Sequence, residues 1–196
     1  MYVPVDFSEE KMVQKSLSEL KNEVSGCTRC ELCKTRTNVV FGSGNENARI
    51  MFIGEAPGEK EDLSGIPFVG RAGQLLDKFL EAIELDRESV YIANMCKCRP
   101  PSNRDPRPEE QDMCIEYLRE QVRIIKPSLI VCLGRISAQR LISPDFKVTK
   151  QHGEVYDKNG FNIMGTFHPA ALLRNPNQKP EALKDFLIIK EYAKGL

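Results

Sequence analysis

No run in this 196-residue chain reaches the roughly eighteen consecutive apolar residues that a membrane span needs. Its opening stretch, MYVPVDFSEEK, lacks the basic segment and apolar core of a secretory signal. A cytoplasmic protein with no membrane attachment is the expectation. Charge of one sign is missing too, since 28 Lys and Arg balance 28 Asp and Glu. That excludes a generally basic nucleic-acid-binding domain and confines any polyanion contact to local loops. There are only two histidines, His152 and His168. Repeats, low-complexity tracts and linkers are absent, so with 41% apolar residues the whole chain, 1–196, is expected to fold around one core, as a monomer.

Two loops do carry local positive charge. KCRPPSNRDPR (97–107) sets Lys97, Arg99, Arg104 and Arg107 against the lone Asp105, and TFHPAALLRNPNQK (166–179) has Arg174 and Lys179 with no acid. Four short apolar runs, RIMFIGE (49–55), VYIANMC (90–96), SLIVCLG (128–134) and FNIMGTF (161–167), read as buried strands. Helical periodicity appears in Val13, Leu17, Leu20 and Val24, with Ser8 as N-cap and Gly26 as the stop. It recurs in Leu76, Phe79, Leu80 and Ile83, and again in Cys114, Leu118, Val122 and Ile125 behind Pro108. Alternating strands and helices predict an α/β protein with a mostly parallel sheet covered on both faces. Ligands of such sheets bind beyond the carboxyl ends of the strands. That edge collects Gly54 to Glu59, Asn94 to Arg99 and His168 to Arg174.

Seven cysteines, an odd number, make a disulfide framework a poor explanation and favour metal binding or catalysis. Cys27 and Cys30 form a C-x2-C pair, the spacing that brings two thiolates to one centre. Cys98 and Cys114 could converge on them. Spacing leaves other sets open: Cys27, Cys30 and Cys33 also begin a ferredoxin-like run, as an electron carrier would have, and Cys96 with Cys98 would share a strand face. Zinc and an iron–sulfur cluster are equally open. Cys132, inside an apolar strand, reads as a core residue.

Three segments taken in order, IGEAPGEKEDLSGIPFVGRAGQLL (53–76), NMCKCRPPSNRDPRPEE (94–110) and TFHPAALLRNP (166–176), resemble the family 4 uracil-DNA glycosylases, the iron–sulfur branch of that superfamily. The resemblance runs from about Cys27 to about Pro176. It implies a three-layer α/β/α sandwich around a central, mostly parallel four-stranded sheet, and a 4Fe–4S cluster held by Cys27, Cys30, Cys98 and Cys114. It further implies that Gly54, Glu55 and Ala56 face the uracil and the attacking water. Phe68 would stack on the base, Asn94 read its edge, and His168 face its O2 side. Leu172, Leu173 and Arg174 would press into the DNA. The superfamily's best-known branch has an Asp where this chain has Ala56, so Glu55 is the first candidate for activating water and Glu61 the second; a DNA-binding protein without hydrolytic power is the alternative.

These residue types suit such a reaction. A base within a duplex must be flipped out before its sugar carbon can be attacked, and a wedge with neighbouring cations offsets that cost. An amide matches the N3–H donor and O4 acceptor of uracil, the reverse of cytosine's edge. Donors aimed at O2 stabilise the charge that develops as the base departs.

Overall fold

The computed structural model describes Val5, Phe7 and residues 15–195. Helix α1 (Leu17–Ser25) leads through a 3-10 turn to the short β1 (Ser43–Gly44), then to β2 (Ile50–Gly54), α2 (Glu59–Ser64), α3 (Arg71–Ala82) and β3 (Tyr91–Asn94). The second half runs α4 (Pro108–Ile125), β4 (Leu129–Leu133), α5 (Arg135–Leu141), α6 (Val148–Gln151), β5 (Val155–Lys158), β6 (Phe161–Thr166), α7 (Pro169–Arg174) and α8 (Lys179–Lys194). Helix α1 is capped by Ser16, whose hydroxyl accepts the Glu19 N–H while Glu19 accepts the Ser16 N–H. The start expected at Ser8, and Val13 with it, lie outside the described residues.

One sheet joins the strands in the order β1-β3-β2-β4-β6-β5. The inner four, β3, β2, β4 and β6, are parallel, while β1 and β5 pair antiparallel at the two edges. The expected four strands are therefore the centre of a six-stranded sheet. Both extra strands are edges: β1 has two residues and β5 is half exposed, so neither carries the buried apolar run that marks the others.

Every residue of β2 and β4 is buried, because side chains alternate between two cores. Met51, Ile53, Ile130 and Cys132 pack with α1, α4 and α5 on one face. Ile50, Phe52, Leu129 and Val131 pack with α3, α7 and α8 on the other. The result is the expected α/β/α sandwich. Among the described residues no helix is long and apolar enough to cross a membrane.

Candidate active site and cysteine pocket

From the central β2 the chain turns to β3 on one side and to β4 on the other, so the loops after β2 and β4 part at their carboxyl ends. They open a cleft of about 630 Å³ lined by Glu55, Ala56, Phe68, Asn94, Gly134, His168 and Arg174, among others. Gly54 ends β2 beneath it. A Cβ there would stand 2.3 Å from Asn94 Oδ1 and 2.7 Å from Phe68 Cζ, so only glycine lets amide and ring converge. Asn94 is 2% exposed, and its Oδ1 finds no hydrogen-bond partner among the described residues. A buried acceptor left unpaired costs about 1–3 kcal/mol, which marks a place where a ligand's donor belongs.

Phe68 is held in the left-handed region at φ 53° by its neighbours. The Arg87 guanidinium donates to the Pro67 carbonyl at 2.9 Å and to the Phe68 carbonyl, while its Nε meets Asp77 at 2.7 Å. Glu61 Oε1 accepts the N–H groups of Val69 and Gly70, both at 2.9 Å. Glu61 thus holds the two backbone donors just ahead of α3. Glu61, the second candidate for activating water, is a brace for the Phe68 loop.

His168 caps α7, with Nδ1 accepting the Ala170 N–H at 3.0 Å. A neutral ring accepting at Nδ1 carries its proton on Nε2. Burial, reinforced by Arg174, holds its pKa down at about 4, so the ring is neutral at physiological pH. Gly134, at φ 92°, lets the turn after β4 approach: a Cβ there would be 2.7 Å from His168 Cβ. The Phe68 and His168 rings lie 5.8 Å apart. The other histidine, His152, places Nδ1 2.9 Å from buried Asp185, which also accepts the Thr166 hydroxyl, and so ties α8 to the end of β6.

Glu55 is half buried at the cleft. Burial first, and the nearby Asp105 carboxyl second, push its pKa up to about 7, with Arg135 opposing. Arg135 meets Asp105 at 3.1 Å. Asp105 and Arg135 both line the cleft, yet sequence reasoning gave neither a site role. Arg135 stands just past the glycine after β4, the same strand-end position that marked Glu55, and this signal went unused.

The three residues expected to press into DNA part company. Leu172 is 1% exposed and belongs to the core beneath α7, because the helix turns it toward the sheet. This corrects its reading as a DNA wedge. Leu173 is partly buried against the same core, and Arg174 is exposed at the cleft. Leu172→Ala is expected to cost about 2–5 kcal/mol of stability by leaving a cavity, with DNA affinity of the folded protein unchanged. Arg174→Ala should weaken DNA binding without lowering stability; denaturant melts and binding isotherms of the two variants check both outcomes. Lys97 is also withdrawn from the basic loop, since it is buried. Arg104 is partly neutralised by buried Glu110, to which it donates at 2.8 and 2.7 Å, whereas Arg107 stays exposed.

Away from the cleft, Cys27, Cys30, Cys98 and Cys114 line one small pocket with Val24, Leu32, Met113 and Tyr117. Cys33 lines it too, beside the Cys27 and Cys30 with which it shares its spacing, although the resemblance leaves it out of the ligand set. Arg36 donates to Cys98 Sγ at 3.3 Å and the Lys97 N–H to Cys114 Sγ at 3.2 Å. Cys96 is buried beside Cys114, and Cys132 lies in the sheet core. Among the described residues no three His, Cys, Asp or Glu side chains are gathered as a single metal ion requires.

The model of the uracil DNA glycosylase superfamily matches residues 41–189. The chain belongs to this superfamily. It is similar to the type-4 uracil-DNA glycosylase of Archaeoglobus fulgidus, 46% identical over 90% of this chain and 93% of the relative. Against the type-4 uracil-DNA glycosylase of Thermotoga maritima the figures are 47% over 83% of this chain and 86% of the relative. A type-5 uracil-DNA glycosylase from Pyrobaculum aerophilum is 32% identical over 66% of this chain and 64% of the relative. The matched stretch of this superfamily member holds every cleft residue from Gly54 to Arg174, while Cys27 and Cys30 precede it.

Proposed function

We propose that this chain, folded as one monomeric domain, removes uracil from single- or double-stranded DNA by hydrolysing the base–sugar bond of a flipped-out nucleotide. The observation that carries this reading is the unpartnered Asn94 Oδ1, buried beside the Phe68 ring in a cleft that also holds a neutral histidine. Flipped uracil stacks on Phe68. Asn94 accepts from N3–H and donates to O4, a pattern that cytosine reverses. His168 Nε2–H and the backbone N–H groups near Glu55 and Ala56 face O2, where negative charge grows as the bond breaks. Glu55, ionised, holds the water for attack at the sugar carbon. Arg174 and Arg107 meet phosphates.

Four thiols around one pocket, with N–H donors on two of the sulfurs, suit an iron–sulfur cluster. Cys27, Cys30, Cys98 and Cys114 would hold the 4Fe–4S cluster. When bound, it would supply a clamp between the turn after α1, the loop after β3, and α4. Thiolates that hold such a cluster suit the reducing cytoplasm.

The purified protein should release free uracil from a labelled uracil-containing oligonucleotide, and intact DNA after prolonged incubation overturns the activity. It should also be brown, with iron and sulfide present and absorbance near ~400 nm. Cys98→Ala and Cys114→Ala should lose the colour and much of the solubility, and Cys33→Ala should keep both. Stoichiometric zinc without iron or sulfide in an anaerobic preparation overturns the cluster.

A further inference from the structure

The five residues from Asn94 to Cys98 connect the cleft to the cysteine pocket, and Lys97 among them is 1% exposed. Its Nζ donates to the Asn94 carbonyl at 2.7 Å and to Gln121 Oε1 at 2.5 Å, and lies 5.9 Å from the centre of the Phe41 ring. These partners are neutral oxygens and a ring face, not carboxylates. A buried ammonium without a negative partner costs several kcal/mol, so a strut of this kind would be better built from a neutral residue unless negative charge stands nearby. Sulfur stands nearby. Lys97 lines the cysteine pocket, where its backbone N–H donates to Cys114 Sγ.

We infer that Lys97 is the fixed counter-charge of the thiolate-bound group and the positioning residue through which the cysteine pocket sets Asn94 for reading uracil. The inference rests on the cluster reading above. The surroundings of Lys97 are stiff enough to transmit position. Met95 and Cys96 donate to the Gly54 and Glu55 carbonyls, both at 3.0 Å, and the Lys97 carbonyl accepts the Val40 N–H at 2.8 Å. Gln121, the other partner of Nζ, donates to the Phe41 carbonyl at 2.9 Å and to the Tyr91 hydroxyl at 3.3 Å. Arg36 also touches a cysteine sulfur, but it is partly exposed and its charge is screened by solvent. Lys97 acts in low dielectric, where one charge weighs most.

The test uses the loaded protein and Lys97→Met, which is apolar and similar in length. Iron and sulfide in the variant should stay within a factor of about two of wild type, and its reduction potential should be more negative, because a lost buried cation disfavours the added electron. Uracil excision should lose roughly tenfold in kcat/KM, mostly through KM, as the Asn94 backbone loses its donor. A packing role alone leaves the potential where it was. An unchanged potential overturns the counter-charge, and an unchanged KM overturns the strut.

Should Lys97→Met precipitate, wild type gives the same reading through reciprocal linkage. Its potential is measured with an uncleavable 2′-fluoro-deoxyuridine oligonucleotide and with the thymidine twin. Distinct potentials support the coupling and equal ones overturn it. Metal analysis comes first: wild type without iron and sulfide sinks the cluster reading itself, a failure told apart from the others before any potential is taken.

Discussion

Replacing His168 by alanine should slow base cleavage by about 10²-fold or more, with little change in DNA affinity, since a donor to developing negative charge acts mainly in the transition state. Its role as a neutral donor follows from two observations: Nδ1 is occupied by the Ala170 N–H, and burial holds the pKa at about 4. Imidazole titration therefore lies below the physiological range. The pH dependence near neutrality should come from Glu55, whose pKa is pushed up to about 7. A base works unprotonated, so the rate should rise with pH through about 7 and level off above it. His168→Ala should keep that rise at a lower rate, and Glu55→Gln should abolish it. Single-turnover excision across pH decides: an undiminished rate in His168→Ala, or a pH rise that survives in Glu55→Gln, removes the corresponding residue from the chemistry.

Asn94→Asp should lower uracil excision at least tenfold. The substitution replaces the amide NH2, a donor to O4, with an oxygen that faces another acceptor, and adds repulsion to a lost hydrogen bond. Unpaired polar groups in a buried site cost about 1–3 kcal/mol each, more when charged. Asn94 is buried, so water cannot relieve the mismatch. The same carboxyl can accept from the N4 amino group of cytosine and, when protonated, donate to N3, so weak cytosine excision should appear. Phe68→Ala should instead slow all bases alike, because a ring face does not read an edge. Matched uracil and cytosine oligonucleotides under single-turnover conditions make the comparison. Uracil excision by Asn94→Asp at the wild-type rate would mean that another residue reads the base.

The buried strands β2, β3, β4 and β6 and the helices α3 and α4 were legible in the chain because continuous apolar runs and helical periodicity are local signals. So was the gathering of Gly54, Asn94 and His168, since parallel strands must end at one edge. The edge strands were not, because half-exposed residues leave no such run. Nor was the fate of individual side chains within a motif. Leu172 and Arg174 lie two residues apart, yet the six-residue helix α7 sends one into the core and the other to the cleft. Lys97 reads as one cation of a basic loop until the fold closes Gln121 and Phe41 over it.

By itself, then, the sequence determined the layered α/β architecture, the edge of the sheet that carries the site and the resemblance that names its chemistry. Apolar patterning and strand polarity are written residue by residue. Only the tertiary structure decided the protonation of His168, the raised pKa of Glu55, the occupation of Glu61 by backbone donors and the unpaired oxygen of Asn94. Each depends on desolvation and on partners from segments distant in the chain, and burial with hydrogen-bond partners, not residue type alone, sets what a polar group does.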